Sequence, residues 1–161
     1  MSKLSKRFLN ISESKTVALT TLLHALQSEG RDVVALGAGE PDFETPENIK
    51  EAGIQAIKNG FTRYTSVDGI PELKKAILFN LKQQNGIDYK PSEIVITCGA
   101  KHAVYQGILA LCDEGDEVLL PVPYWVSYPE QIKLAGASIK FLQTTQENQF
   151  KITANQFNKG G

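Results

Sequence analysis

Cysteine and histidine are scarce in this sequence, two of each, and neither forms a pattern. Cys98 and Cys112 lack the C-x-x-C spacing, and His24 and His102 add no metal-ligand spacing to them. Two buried, reduced thiols in a cytosolic protein are therefore expected, with no disulfide framework and no metal site. An excess of either charge is also missing, with 17 basic residues against 18 acidic ones. With a pI near 6.1, the chain has no electrostatic footprint for nucleic acid or an anionic membrane. The expected partner is a small molecule or another subunit. Long apolar runs are absent too, so neither a signal-peptide core nor a membrane span is expected. The start is basic and free of acid until Glu13, which suits a transit peptide. Leu4, Phe8 and Ile11 instead suggest one apolar face packing on the body, and the cytoplasm is the expected location.

What is present has the balance of a soluble globular protein, 42% hydrophobic and 22% charged, and 161 residues suit one domain or part of a larger one. Val33 to Leu36 reads as extended backbone entering a turn at Gly37 and Gly39. Thr45 is a suitable N-cap and Pro46 a suitable first position for a helix with Ile49, Ala52, Gly53, Ala56 and Ile57 on one apolar face. Gly60 would cap its end. Pro71 opens a second helix whose buried face is expected at Leu73, Ala76, Ile77 and Leu81, with Asn85-Gly86 as its stop.

Strand and helix then alternate. Ile94 to Thr97 reads as a strand, Gly99 as a turn, and Ala103, Val104, Gly107, Ile108 and Leu111 as one side of a helix. Glu117 to Leu120 reads as a strand broken by Pro121 and Pro123. A helix at 127–135 leads through Gly136 to a strand at 138–142, and Thr153 to Phe157 starts a further helix. Strands separated by helices imply parallel pairing and an α/β fold.

Three places can carry chemistry. Gly99-Ala100-Lys101 lies between a strand and a helix, where free backbone N–H groups and the helix dipole make an anion site, or simply a turn. Gly39 follows an extended run, so its N–H either meets a carboxylate or belongs to a plain turn. The segment 121–128, Pro-Val-Pro-Tyr-Trp-Val-Ser-Tyr, puts three aromatics at the C-terminal end of a strand, where open α/β sheets place ligands. Trp125, the one tryptophan, is either core or a stacking face with an N–H to offer. Tyr64 alone reads as an ordinary loop tyrosine.

Taken in order, Gly-Ala-Gly-Glu-Pro-Asp-Phe-Glu-Thr-Pro at 37–46, Tyr-Thr-Ser-Val-Asp-Gly-Ile-Pro-Glu-Leu at 64–73, Thr-Cys-Gly-Ala-Lys-His-Ala at 97–103 and Pro-Tyr-Trp-Val-Ser-Tyr at 123–128 are more than turns. Together they resemble the class I aminotransferases of pyridoxal-phosphate (PLP) fold type I, above all bacterial aspartate aminotransferases. The resemblance covers nearly the whole chain, from about residue 4 to about 157.

The resemblance implies an incomplete three-layer α/β/α fold with a mostly parallel sheet. Residues 1–45 would be an N-terminal arm and substrate-contact segment, and 46–161 the first part of the large PLP-binding domain. It implies that Gly99, Ala100 and Lys101 cradle the PLP phosphate and that Trp125 stacks on the pyridine ring and can hydrogen-bond a dicarboxylic substrate. Gly39 would contact the substrate α-carboxylate. Tyr64 would reach the phosphate in the neighbouring subunit's site, which makes the complete enzyme a homodimer acting on amino-acid and 2-oxo-acid substrates. The implied reaction is amino transfer between aspartate and 2-oxoglutarate. The Schiff-base lysine and the pyridinium-pairing Asp of such enzymes have no counterpart in these residues, so no catalytic residue is assigned and the chain by itself is expected to be inactive. Ser12 stands where relatives that accept prephenate carry a basic residue, which favours aspartate. A prephenate or other amino-acid aminotransferase is the alternative. A free-standing small α/β module that binds a phosphate ligand or a partner protein is the alternative from another class.

Overall fold

The structure is a computed structural model, and it describes residues 4–37, 39 and 41–160. In chain order its elements are α1 (Lys6–Leu9), α2 (Lys15–Ser28), α3 (Glu47–Lys58), α4 (Pro71–Asn85), a 3-10 turn (Pro91–Glu93), α5 (Ala100–Leu111), β1 (Glu117–Val122), α6 (Tyr128–Ala135), β2 (Ser138–Gln143) and α7 (Ala154–Gly160). They fall into two compact units, Met1–Ala38 with Lys101–Gly161, and Gly39–Ala100.

In the first unit β1 and β2 pair in parallel, Glu117 opposite Ser138 and Leu120 opposite Phe141. A parallel pair needs a crossover connection, and α6 supplies it. Leu120, Ala137 and the fully buried Ile132 of α6 form the centre of the core, with Ile108, Val118, Tyr128 and Ile139 around them. Gly136, in the left-handed region, closes α6 as its sequence suggested. Two expectations need correction here. β1 runs through Pro121 to Val122 instead of breaking before it; among the described residues β2 is its one neighbour, and an edge strand tolerates a missing N–H. The thiols are not both buried: Cys98 is exposed and Cys112, free as well, is half-buried beside the core.

Helix α2 was not foreseen. Ser14 caps its start by accepting from the Val17 N–H at 3.4 Å. Gly30 and Arg31 close its end by donating to the carbonyls of Gln27 and Leu26 at 3.0 and 3.1 Å. None of its residues is buried, and its apolar residues make no narrow stripe for periodicity to detect. The expected face of Leu4, Phe8 and Ile11 is also reduced, because Leu4 and Phe8 are exposed and Ile11 alone is half-buried. Val33 to Leu36 joins no ladder.

In the second unit, α3 starts one residue later than expected. Pro46 is the cap position, and its carbonyl, not the Thr45 side chain, accepts from Ile49 and Lys50 at 2.9 and 3.1 Å. Gly60 ends α3 and Gly86 ends α4, both with positive φ. The apolar faces foreseen for α3 and α4 are largely uncovered: Ile49, Ile57 and Leu73 are exposed, while Ile77 and Leu81 are half-buried. The buried residue of α4 is Lys74. Ile94 to Thr97 joins no ladder, and among the described residues no strand lies beside it; the Ile96 N–H donates to the Asp68 carbonyl at 3.0 Å instead.

Candidate functional site

The turn at 97–101 is built from its own backbone. Gly99 has φ +86, a left-handed conformation that a Cβ disfavours, and the space beside it is open. Its N–H donates to the Thr97 carbonyl at 2.8 Å, and the Thr97 hydroxyl donates to the Gly99 carbonyl at 3.0 Å. The N–H of Gly99 is thus already engaged. The donors left for an anion are those of the first turn of α5, beginning at Ala100 and Lys101, which have no intrahelical acceptor. Open space at Gly99 and free donors at the start of a 12-residue helix fit the phosphate of PLP.

Lys101 belongs to the first unit, and Gln131 of α6 fixes its backbone by donating from Nε2 to its carbonyl at 2.9 Å. Gln131 is buried, and its Oε1 has no protein partner. A cleft of about 690 Å³ in this unit is lined by Ser12, Lys15, Lys101, Tyr124, Ser127 and Gln131, among others. Lys101 therefore shares one cleft with Tyr124, Val126 and Ser127 of the 123–128 segment. Tyr124 stacks on Phe141 of β2, with ring centroids 5.4 Å apart. Trp125 is more than half exposed and is not among the cleft-lining residues. It is not core. A second cleft, of about 770 Å³ and lined by Lys6, Arg7 and Asp113 among others, holds none of the residues singled out in the sequence.

Glu130 borders the same cleft as Lys101. Its carboxylate accepts from the Ser12 N–H at 3.0 Å and from the Lys133 ammonium at 2.9 Å. Burial pushes the Glu130 carboxyl up, but Lys133, the Ser12 N–H and the charge of Lys15 outweigh it and hold it below the usual range.

Gly39 and Tyr64 belong to the second unit. Gly39 is exposed with open space around its backbone; its neighbours in the motif, Ala38 and Glu40, lie outside the described residues. Tyr64 is wholly exposed. The loop that carries it is anchored by Asp68, whose carboxylate accepts from the Ser66 hydroxyl and the Lys74 ammonium. Lys74 also donates to the Pro91 carbonyl at 2.9 Å. The Lys74 hydrogen bond, with that of Ser66, lowers the Asp68 carboxyl to about 2.

Sequence reasoning missed Lys74, Asp68, Gln131 and Glu130. Lys74 had one usable signal, a cation on the flank of the apolar positions 73, 77 and 81. Gln131 and Glu130 had none, because Lys101 and Ser12 lie 30 and 118 positions away; Asp68 lies near its partners Ser66 and Lys74 in the chain, but in a loop whose shape no periodicity marks. Among the described residues no group of His, Cys, Asp and Glu is placed to hold a metal ion, and no helix is long and apolar enough to cross a membrane.

A parallel β–α–β unit preceded by a glycine turn at a helix N-terminus, with aromatics after the first strand, defines part of an α/β fold type I PLP transferase. Residues 31–159 match the family described as aminotransferase class I and II, and the chain belongs to that family. It is 46% identical over 153 residues to an aspartate aminotransferase of a Bacillus species (strain YM-2), covering 95% of this chain and 39% of that protein. It is 48% identical to a probable aspartate/prephenate aminotransferase of Rickettsia typhi, covering 95% of this chain and 38% of the relative. The structure superposes on the Thermus thermophilus aspartate aminotransferase with maleate at a TM-score of 0.94 and 39% identity, over 100% of this chain and 42% of that one. The Rhizobium meliloti aspartate aminotransferase gives a TM-score of 0.93 at 36% identity, over 100% of this chain and 40% of the other. The chain thus spans about two-fifths of the length of the relatives it matches.

Proposed function

We propose that these residues are the phosphate-anchoring and ring-stacking portion of a PLP-dependent aspartate aminotransferase that exchanges the amino group between aspartate and 2-oxoglutarate. The observation that carries this reading is that Lys101, in the first turn of α5, lines one cleft with Tyr124, Val126 and Ser127. PLP supplies an electron sink for the substrate's α-carbon once bound. The chain's own residues bind and orient. First-turn N–H groups of α5 hold the phosphate, with Gly99 leaving room for it. Trp125 lies on the ring and offers its indole N–H to a side-chain carboxylate of the substrate. Gly39 donates its N–H to the substrate α-carboxylate, and Tyr64 reaches the phosphate of a partner subunit, so the working form is a homodimer. We place it in the cytoplasm. The 161 residues by themselves bind without turning substrate over. Prephenate is the second amino acceptor worth testing, because relatives at 47–48% identity are described as probable aspartate/prephenate aminotransferases.

The single tryptophan makes the test direct. PLP added to the purified protein quenches Trp125 emission saturably, and pyridoxal, which lacks the phosphate, does so only at much higher concentration. Equal potency of the two compounds would remove the phosphate-anchoring reading, and unchanged emission at saturating PLP would remove Trp125 from the ring.

A further inference from the structure

Tyr64 is wholly exposed, so no packing of its own side chain sets its position. That position comes from the backbone of the loop that follows it. Loop residues 66–69 are held from two sides. Toward α4, the Asp68 carboxylate takes the ammonium of Lys74, whose side chain is only 7% exposed. Toward residues 94–97, the Asp68 carbonyl accepts from the Ile96 N–H at 3.0 Å. Gly69 lies so close that a Cβ there would stand 2.2 Å from Ile96 Cγ1. The second ammonium bond, to the Pro91 carbonyl at 2.9 Å, locks the 3-10 turn to the same point. A buried ammonium without its carboxylate is costly, which makes this junction all-or-none.

We infer that Lys74 is a positioning residue: its buried ammonium fixes the 66–69 loop against α4 and the 3-10 turn, and through that loop sets the backbone from which Tyr64 projects. The functional half of this inference rests on the proposed contact between Tyr64 and a PLP phosphate. The structural half does not. The low carboxyl of Asp68, about 2, is what a maintained ion pair produces.

The experiment uses the protein as the cell makes it, with Lys74→Met, Lys74→Arg, Asp68→Asn and Tyr64→Phe. Hydrogen exchange at the two amides that lock the loop, Gly69, which donates to the Ser66 carbonyl at 3.1 Å, and Ile96, which donates to the Asp68 carbonyl at 3.0 Å, is read beside the ratio of pyridoxal to PLP dissociation constants. Lys74→Met is expected to speed exchange at both by about tenfold or more, and to lower the pyridoxal-to-PLP ratio as Tyr64→Phe does. In the double variant the two losses do not add, and Lys74→Arg restores most of both readouts. Asp68→Asn, at a half-buried position, tests the same pair should Lys74→Met fail to fold, and should loosen the same amides with helix content unchanged. Unchanged exchange at Gly69 and Ile96 in Lys74→Met or Asp68→Asn would overturn the clamp. A falling ratio in Tyr64→Phe beside an unchanged one in Lys74→Met would overturn the link to Tyr64. Loosened amides with a ratio that Tyr64→Phe does not move would sink the phosphate role of Tyr64 and leave the clamp standing.

Discussion

The backbone N–H of Ser12 donates to Glu130 Oε2 at 3.0 Å, joining two residues 118 positions apart. This bond pins the segment before α2 to the start of α6, where both border the cleft that holds Lys101. Because the Glu130 carboxyl lies below its usual range, the pin contributes stability at pH values above the ordinary glutamate value of about 4.3. That contribution is lost as pH falls through the lowered value. Glu130→Ala, which removes the acceptor oxygen, should therefore release the Ser12 amide to exchange at neutral pH, with Lys133 losing its partner. Protection of Ser12 unchanged in the variant would show that the segment is held elsewhere.

Asp68 should titrate near 2 by carboxyl NMR in the wild-type protein. Its contribution to stability is present above the ordinary aspartate value of about 3.9 and disappears as pH falls through the folded value. In Lys74→Met the same carboxyl should return toward its ordinary value, because its largest perturbation is gone. A carboxyl that stays low in that variant would point to Ser66 as the dominant partner.

Gly69 and Gly99 both have positive φ, +107 and +86, but differ in what surrounds them. Gly99→Ala meets open space and costs only backbone strain, about 1–2 kcal/mol. Gly69→Ala meets the same strain and a side chain of Ile96 that must move, so it should cost more. Unfolding midpoints of the two variants check the order, and equal losses would mean that Ile96 yields freely.

Leu36, Phe43, Phe61 and Val67 are among the large apolar side chains left in water. The isolated 161-residue chain should bind a hydrophobic dye and melt over a broad range in urea, and both should change when further polypeptide covers these surfaces. A sharp melt with no dye binding would show that the exposed faces need no cover.

Much of the architecture was legible because it is written locally. Gly60, Gly86 and Gly136 stop helices through their own conformational freedom, and Pro71 starts one. The β1–α6–β2 succession shows as two short, largely apolar runs around an amphipathic stretch closed by Gly136. The rest failed where geometry, and not residue type, decides. Thr45 looked like a cap, yet the carbonyl of Pro46 accepts the first helical bonds. Residues 94–97 have strand character, but a ladder needs a neighbour, and among the described residues they have none. The glycine turn at 99 could be read as an anion site from three residues. The pairings of Gln131 with Lys101 and of Glu130 with Ser12 could not, because each joins residues far apart in the chain.

The β1–β2 ladder has a kinetic consequence. Its partners are separated throughout by the same short stretch of chain, folded back by a single helix whose Ile132 is the most deeply buried side chain of the core. Closing so small a loop loses little entropy, and contacts of short sequence separation form early. Residues 117–143 would then act as an early-forming nucleus, with the aromatic segment 123–128 placed from that step on.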